Sequence, residues 1–418
     1  MVGKKIWDYW IVTLFLITSG TVFWKGQLSA SLAYPFLLIM ALINSFIVNR
    51  ERRYNSSQLY IVACAFLCLL NFMVNLDSLE DNSMFGFFFS MIATFLIISS
   101  YDFFYFRKIL TNVVFVIVLI GIPIFALSEM SLLPTGIMID DAGVSFISFS
   151  IYTLGWYPYL FERFSGLWHE PGACQIVLNT VLWMHFDSIT QWRWEKGQLL
   201  KCIVILIGSL LTLSTGSYLV LMLLGIAVIF NIEIKGRHKF LMMILLLIIV
   251  LPIIYLIFTS PVIQNKLFDA EGQEMKSKLV RYADMNALWM MIQDKPVLGY
   301  GIGTVGFWET SYEYGNTTTS SGVLGYAASL GCSWLIVYLF FLWKSCKKLE
   351  IGRGLPFLII AVIIMQFNEF YIEYPISCVF LYEYFSYSKI NDNNIEDEAD
   401  IDNNSDIQCG ECASAVLG

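Results

Sequence analysis

The chain has 418 residues, 57% apolar and 14% charged, against roughly 45–50% and about 25% in ordinary soluble domains. That balance excludes a soluble globular protein and points to an integral membrane protein. The formal net charge of −8 has one source, since residues 391–418 hold eight acids and no base while the rest balances at 25 against 25. Acidity so localised belongs to a solvated tail and is no sign of a cationic substrate or of nucleic acid.

Long apolar runs recur from residue 7 to residue 388, most near the ~20 residues that a helix needs to cross a hydrocarbon core of about 30 Å. They predict twelve spans, at about 7–24, 29–48, 58–76, 84–102, 109–128, 171–186, 199–213, 217–232, 239–258, 322–343, 355–371 and 375–388. The first run follows Lys4 and Lys5 as a signal peptide would, but it is long and lacks a small-residue cleavage site, so it is read as a span. Only the polar break Ser-Thr-Gly-Ser at 214–217 separates the seventh span from the eighth, which leaves eleven as the alternative count. Short alternating strands of a membrane barrel are not seen. The expected fold is all-α and polytopic, with about twelve transmembrane helices over residues 1–390. Two long loops, at about 129–170 and 259–321, should carry short helices, and 391–418 forms the acidic tail.

Basic residues set the orientation. Lys4/Lys5, Arg50/Arg52/Arg53, Arg107/Lys108, Arg193/Lys196/Lys201, Lys235/Arg237/Lys239 and Lys344/Lys347/Lys348/Arg353 fall in alternate loops, with Lys389 after the last span. Those loops and both termini are expected in the cytoplasm. The two long loops then face outward. The nine cysteines are scattered and mostly intramembrane, as packing residues would be. CGEC (409–412) stands alone without a second pair to complete a zinc site. GIGTVG (301–306) fits GxGxxG but follows no strand, and WHEPGAC lacks the second histidine of HExxH. No cluster has metal-ligand spacing, and no cofactor is implied.

The chemistry concentrates in the long loops. RFSGLWHEPG (163–172) sets Arg163, His169 and Glu170 at the mouth of the sixth span. Pro171 suits a first helical turn, and an acid at Glu170 suits the positive end of the helix dipole. Arg163 either snorkels to headgroups or holds an anion. In the second loop, KSKLVRYADMNALWMMIQDKP (276–296) spaces Leu279, Tyr282, Met285, Leu288, Trp289 and Ile292 as an amphipathic helix. GYGIG (299–303) then supplies a turn whose backbone can approach a ligand, and NTTTSSG (316–322) leads into the tenth span. Two arginines ringed by Trp156, Tyr157, Tyr159, Trp168, Tyr282, Tyr300 and Trp308 suit an anionic lipid that carries sugars. Taken singly, most of those aromatics fit an interfacial belt equally well.

R-F-S-G-x-x-x-E-P-G entering a span, Arg281 upstream of D-x-P-x-x-G-x-G-x-G, and the S-T-G-S break together resemble the Wzy-class polymerases of O-antigen and capsular polysaccharide. More broadly they resemble the O-antigen ligase superfamily, over roughly residues 84–345. The resemblance implies a GT-C-like membrane glycosyltransferase that needs no cofactor. Such an enzyme transfers glycan from undecaprenyl diphosphate to the terminal sugar of another lipid-linked unit, among membrane lipids and beside a chain-length regulator protein. It implies Arg163 and Arg281 as stabilisers of the departing diphosphate, Glu170 or His169 as the base, and Trp168, Tyr282, Tyr300, Gly301, Gly303 and Asn316 around the substrate. The ligase branch typically carries a histidine near NTTTSSG, which this chain lacks, so ligase is the alternative. A lipid-linked oligosaccharide flippase is the second alternative. It is disfavoured because no ionisable side chain sits at mid-span and the two halves show no internal repeat.

Overall fold

A computed structural model describes residues 2–23, 30–48, 57–75, 83–140, 143–160, 163–231, 255, 276–302, 304–315, 321–349, 351–367 and 374–384. The helices α1 (Val2–Ile17), α2 (Ala30–Val48), α3 (Ser57–Val74), α4 (Ser83–Ile98) and α5 (Phe103–Glu129) come first. A four-stranded antiparallel sheet follows, in the order β1 (Gly136–Ile139), β2 (Ser145–Phe149), β3 (Tyr152–Trp156) and β4 (Tyr159–Leu160). The chain then forms α6 (Pro171–Met184), α7 (Phe186–Gln191), α8 (Gln198–Leu211), α9 (Thr215–Asn231), α10 (Lys276–Asp294), α11 (Val305–Glu313), α12 (Gly322–Lys348) and α13 (Leu355–Phe367). By length and composition α3, α5 and α12 can each cross a bilayer, and shorter apolar helices lie at 32–47, 85–98, 198–211, 215–231 and 352–367. The protein is therefore a helical, multi-span membrane protein.

Three expectations change in detail. The first long loop carries the sheet rather than short helices. Its strands SFISF and YTLGW are short and rich in aromatic and β-branched residues, which suit a half-buried pleated surface. The twelfth span is not a continuous helix: Pro375–Cys378 is a 3₁₀ turn, and the described residues after it are turns. They are nevertheless buried, with Ile376 N bonded to Ser19 Oγ, Tyr382 Oη to Met91 O and Glu383 N to Ser57 Oγ. The seventh and eighth spans are separate helices, but the break lies at 212–214, just ahead of the expected one: α8 ends at Leu211, Leu213 takes a positive φ of 44°, and α9 already starts at Thr215. The ninth predicted span lies outside the described residues apart from Tyr255, and residues 391–418 lie wholly outside them.

Between lipid-embedded helices the hydrophobic effect gives little, so close approach of small residues and polar links hold the bundle. A Cβ at Gly208 on α8 would lie 2.7 Å from Val118 on α5. Between α6, α8 and α9, Asn179 Nδ2 donates to Gln175 Oε1 (2.9 Å) and Ser217 Oγ (3.1 Å), and Ser209 Oγ donates to Asn179 Oδ1 (3.1 Å). This cluster straddles the break and fixes α8 and α9 against α6. At the other end of α6, buried Arg107 on α5 donates to Met184 O (3.0 Å) and pairs with Asp187 (2.5 Å). Asp8, also buried, accepts from Tyr101 (3.1 Å) and Tyr105 (2.8 Å).

Candidate functional site

The first loop does not sit on top of the bundle but folds back into it. α5 and α6 share one level where Arg107 meets Met184. At 1.5 Å per residue, α5 rises about 33 Å from there to Glu129, whereas α6 rises only about 20 Å to Pro171. The start of α6 therefore lies recessed about 13 Å below the end of α5. Side-chain contacts agree with that depth. Tyr152 Oη donates to Ile117 O (3.0 Å), deep along α5, and a Cβ at Gly121 would stand 2.9 Å from both the Phe164 and Tyr152 rings.

The wall of this recess is β3 stitched to residues 163–169. Thr153 N donates to Gly166 O (2.9 Å), Ser165 Oγ to Thr153 O (2.7 Å) and Trp156 Nε1 to His169 O (3.1 Å). Gly166 takes φ 61° to make the turn, a conformation that costs other residues strain. Phe164 N donates to Leu211 O (3.0 Å), which seats the loop on the last turn of α8 beside the Ser-Thr-Gly-Ser break. Two motifs some fifty residues apart in sequence thus meet in space. Arg163, half-buried, stands at this junction.

Glu170 occupies the N-cap position of α6 in extended conformation, with Pro171 at the first helical position, yet its side chain makes no capping bond. Its carboxylate lies 3.5 Å from His169 Nε2, both side chains being about one-quarter exposed. An acid serving only to start the helix would accept from the first-turn N–H groups. Glu170 is turned toward an imidazole instead, at the positive end of a helix whose field favours negative charge.

The second loop folds back as well. α12 is interrupted at Gly331 (φ 81°, ψ 168°), nine residues past its start at Gly322, or about 14 Å along the helix. Residues 296–301 insert into the break. Cys332 N donates to Pro296 O (2.8 Å), Tyr300 N to Ala328 O (2.9 Å), Gly301 N to Ser329 O (2.8 Å) and Ser333 Oγ to Val297 O (2.6 Å). Gly299 and Gly301 are required here by their positive φ of 66° and 98°. Irregular backbone at such depth is tolerated where protein or a water-filled cavity surrounds it.

The expected site residues fall into distinct places. His169 and Glu170 are brought together, and Arg163 lies in the same short loop. Arg281 is exposed on α10, which packs on α12, and makes no salt bridge with a described residue. Tyr282 and Trp289 are also exposed, because the buried stripe of α10 runs through Asp284, Ala287, Leu288, Met291 and Ile292. Trp168 is a core residue: fully buried, it donates to Ser19 O (3.0 Å), and its backbone bridges to Thr21, beyond the end of α1. Tyr300 is buried and donates to Asp294, with Lys295 Nζ 4.2 Å from its ring centroid. Burial, and then the Asp294 bond, pushes its hydroxyl up to about 12, so it acts as a donor at neutral pH. Gly301 packs its backbone on α12. Gly303 and Asn316 lie outside the described residues. Sequence reasoning missed Asn71, Asn179 and the buried Asp284, none of which carries a motif. No group of three or more His, Cys, Asp or Glu residues is placed to hold a metal ion among the described residues.

Fold and site together define a polytopic helical membrane protein whose two long loops dip into the bundle. Residues 200–327 match a family model described as O-antigen ligase. The match covers under a third of the chain, from α8 through the break, α9, α10 and α11 to the start of α12. It supports placement in the superfamily of O-antigen ligases and polymerases, membrane glycosyltransferase-like enzymes that act on lipid-linked glycans. Neither curated proteins nor solved structures gave a match.

Proposed function

We propose that the protein polymerises lipid-linked oligosaccharide repeat units into O-antigen or capsular polysaccharide on the outer face of the bacterial cytoplasmic membrane, with both termini in the cytoplasm. An acceptor hydroxyl on one lipid-linked unit attacks the anomeric carbon of a glycan held on undecaprenyl diphosphate. The new C–O bond forms as the bond to the diphosphate breaks, and the lipid diphosphate leaves with its charge. Arg163 and Arg281 stabilise that charge. Glu170 takes the hydroxyl proton, with His169 as its neighbour and the alternative base. Substrate contacts come from Tyr282, Gly303 and Asn316, while Gly301, its N–H bonded to Ser329 O, shapes the segment beside them.

The observation that carries this reading is Glu170 turned toward His169 at the N-terminus of α6, about 13 Å short of the end of α5. A second reading, O-antigen ligase, is favoured by the description of the matching family. The polymerase is preferred because residues 316–322 contain no histidine. Deleting the gene tests the choice. A polymerase defect leaves lipid diphosphate bearing a single repeat unit and no polymer, whereas a ligase defect leaves long lipid-linked polymer unattached to its acceptor.

A further inference from the structure

An unbroken helix over 322–348 would satisfy its own carbonyls. α12 instead holds Gly331 in a glycine-only conformation and takes its cross-links from residues 296–301. One side chain from a distant part of the chain closes this arrangement. Asn71, 3% exposed near the end of α3, joins the inserted segment to the helix, its amide donating to Leu298 O in the segment and to Ser329 O in α12 (3.1 Å). Its Oδ1 faces the segment too, since a Cβ at Gly301 would lie 3.0 Å from it. Only glycine holds this conformation without strain, so the break is a specified feature of α12.

We infer that Asn71 is a positioning residue: it locks the segment 296–301 into the break of α12 and thereby sets where α10, and with it Arg281, stands relative to the recess. Only Lys295 separates Pro296 from the end of α10 at Asp294, so displacement of the segment is passed directly to that helix. The inference rests on the polymerase reading for the role of Arg281. It adds a residue that touches neither substrate nor reacting atoms.

The test uses the purified full-length protein and its Asn71→Asp variant, which keeps the shape and removes the donors, with Ser333→Ala as a milder variant loosening the same segment from its other side. Hydrogen exchange at Tyr300 and Gly301 should quicken about tenfold or more in Asn71→Asp and less in Ser333→Ala, while α5 peptides exchange as in the wild type. The probe substrate is the glycolipid that accumulates in cells lacking the gene. With it, kcat per mole of folded Asn71→Asp protein should fall about 10–100-fold, the scale expected for an ångström of misplacement, with KM within about threefold. A merely structural role lowers the folded fraction and leaves kcat of the remainder intact. Unchanged exchange in both variants overturns the latch, and faster exchange with unchanged kcat overturns the positioning role. Wild-type protein that makes no glycan product, but whose Asn71→Asp variant still exchanges faster, upholds the latch and removes the polymerase reading instead.

Discussion

Gly331→Ala attacks the break in α12 at its centre. The added methyl would stand 2.0 Å from Val297 O and 2.3 Å from its carbonyl carbon, so the backbone of the inserted segment must move by more than an ångström. That movement breaks four bonds, from Cys332 N, Ser333 Oγ, Tyr300 N and Gly301 N. At about 1 kcal/mol each, together with 1–3 kcal/mol for a non-glycine residue in this conformation, the cost is roughly 5–7 kcal/mol. Local release of residues 296–301 is cheaper than unfolding the protein, so undocking is the expected response. Two glycines serve as controls. Gly315 has φ 86° but open space around its Cβ, so alanine there should cost only about 1 kcal/mol. Gly306, within α11, has neither a positive φ nor a close neighbour, and alanine there should be neutral or slightly stabilising. Limited proteolysis between α10 and α11, alongside thermal unfolding in detergent, reads all three. A Gly331→Ala protein that resists cleavage and melts like the wild type would refute the described insertion.

Other outcomes follow from the same contacts. Trp168→Phe removes the donor to Ser19 O and should lower stability by about 1–2 kcal/mol while leaving KM unchanged; a raised KM would return Trp168 to the substrate. Glu170→Gln keeps size and removes the proton acceptor, so chain extension should drop about 100-fold or more, and an unchanged rate would pass the role to His169. Arg163→Lys and Arg281→Lys should each lose most polymer at normal membrane levels, since an ammonium lacks the guanidinium fork; full activity of both would reduce them to surface anchors. Single cysteines at residues 140 and 312, in a cysteine-free background, should react with an impermeant maleimide in intact spheroplasts, and those at 52, 195 and 347 should not. Labelling of the second group overturns the orientation.

Helices were legible wherever an apolar run exceeded the bilayer length, as in α5, or was cut by a polar break such as Ser-Thr-Gly-Ser. The sheet was harder to see. SFISF and YTLGW are too short to outweigh surrounding apolar segments, although Asp140 and Gly143 between β1 and β2 are turn residues. The dip of both loops into the bundle was not legible at all, because depth depends on which residues pair across helices, here Arg107 with Met184 and Tyr152 with Ile117. The same holds for Trp168, whose aromatic character reads alike for a sugar platform and a core residue. On α10 the apolar spacing was right but the face was offset. Asp284 occupies the buried stripe, and a carboxylate is not counted when apolar positions are used to find it.

The central claim is that glycan is transferred from one lipid diphosphate to another at the recess. It is tested most directly by giving the purified protein only a lipid diphosphate that bears one repeat unit and resolving the products. A ladder of longer lipid-linked glycans with release of free lipid diphosphate, persisting in EDTA and lost in Arg163→Lys, is the result expected of arginine-stabilised transfer. A flippase would return the lipid unchanged, and a ligase would form no product until a lipopolysaccharide core was added, then attach the glycan to it without lengthening the chain. Either result from folded protein supplied with the correct unit contradicts the account.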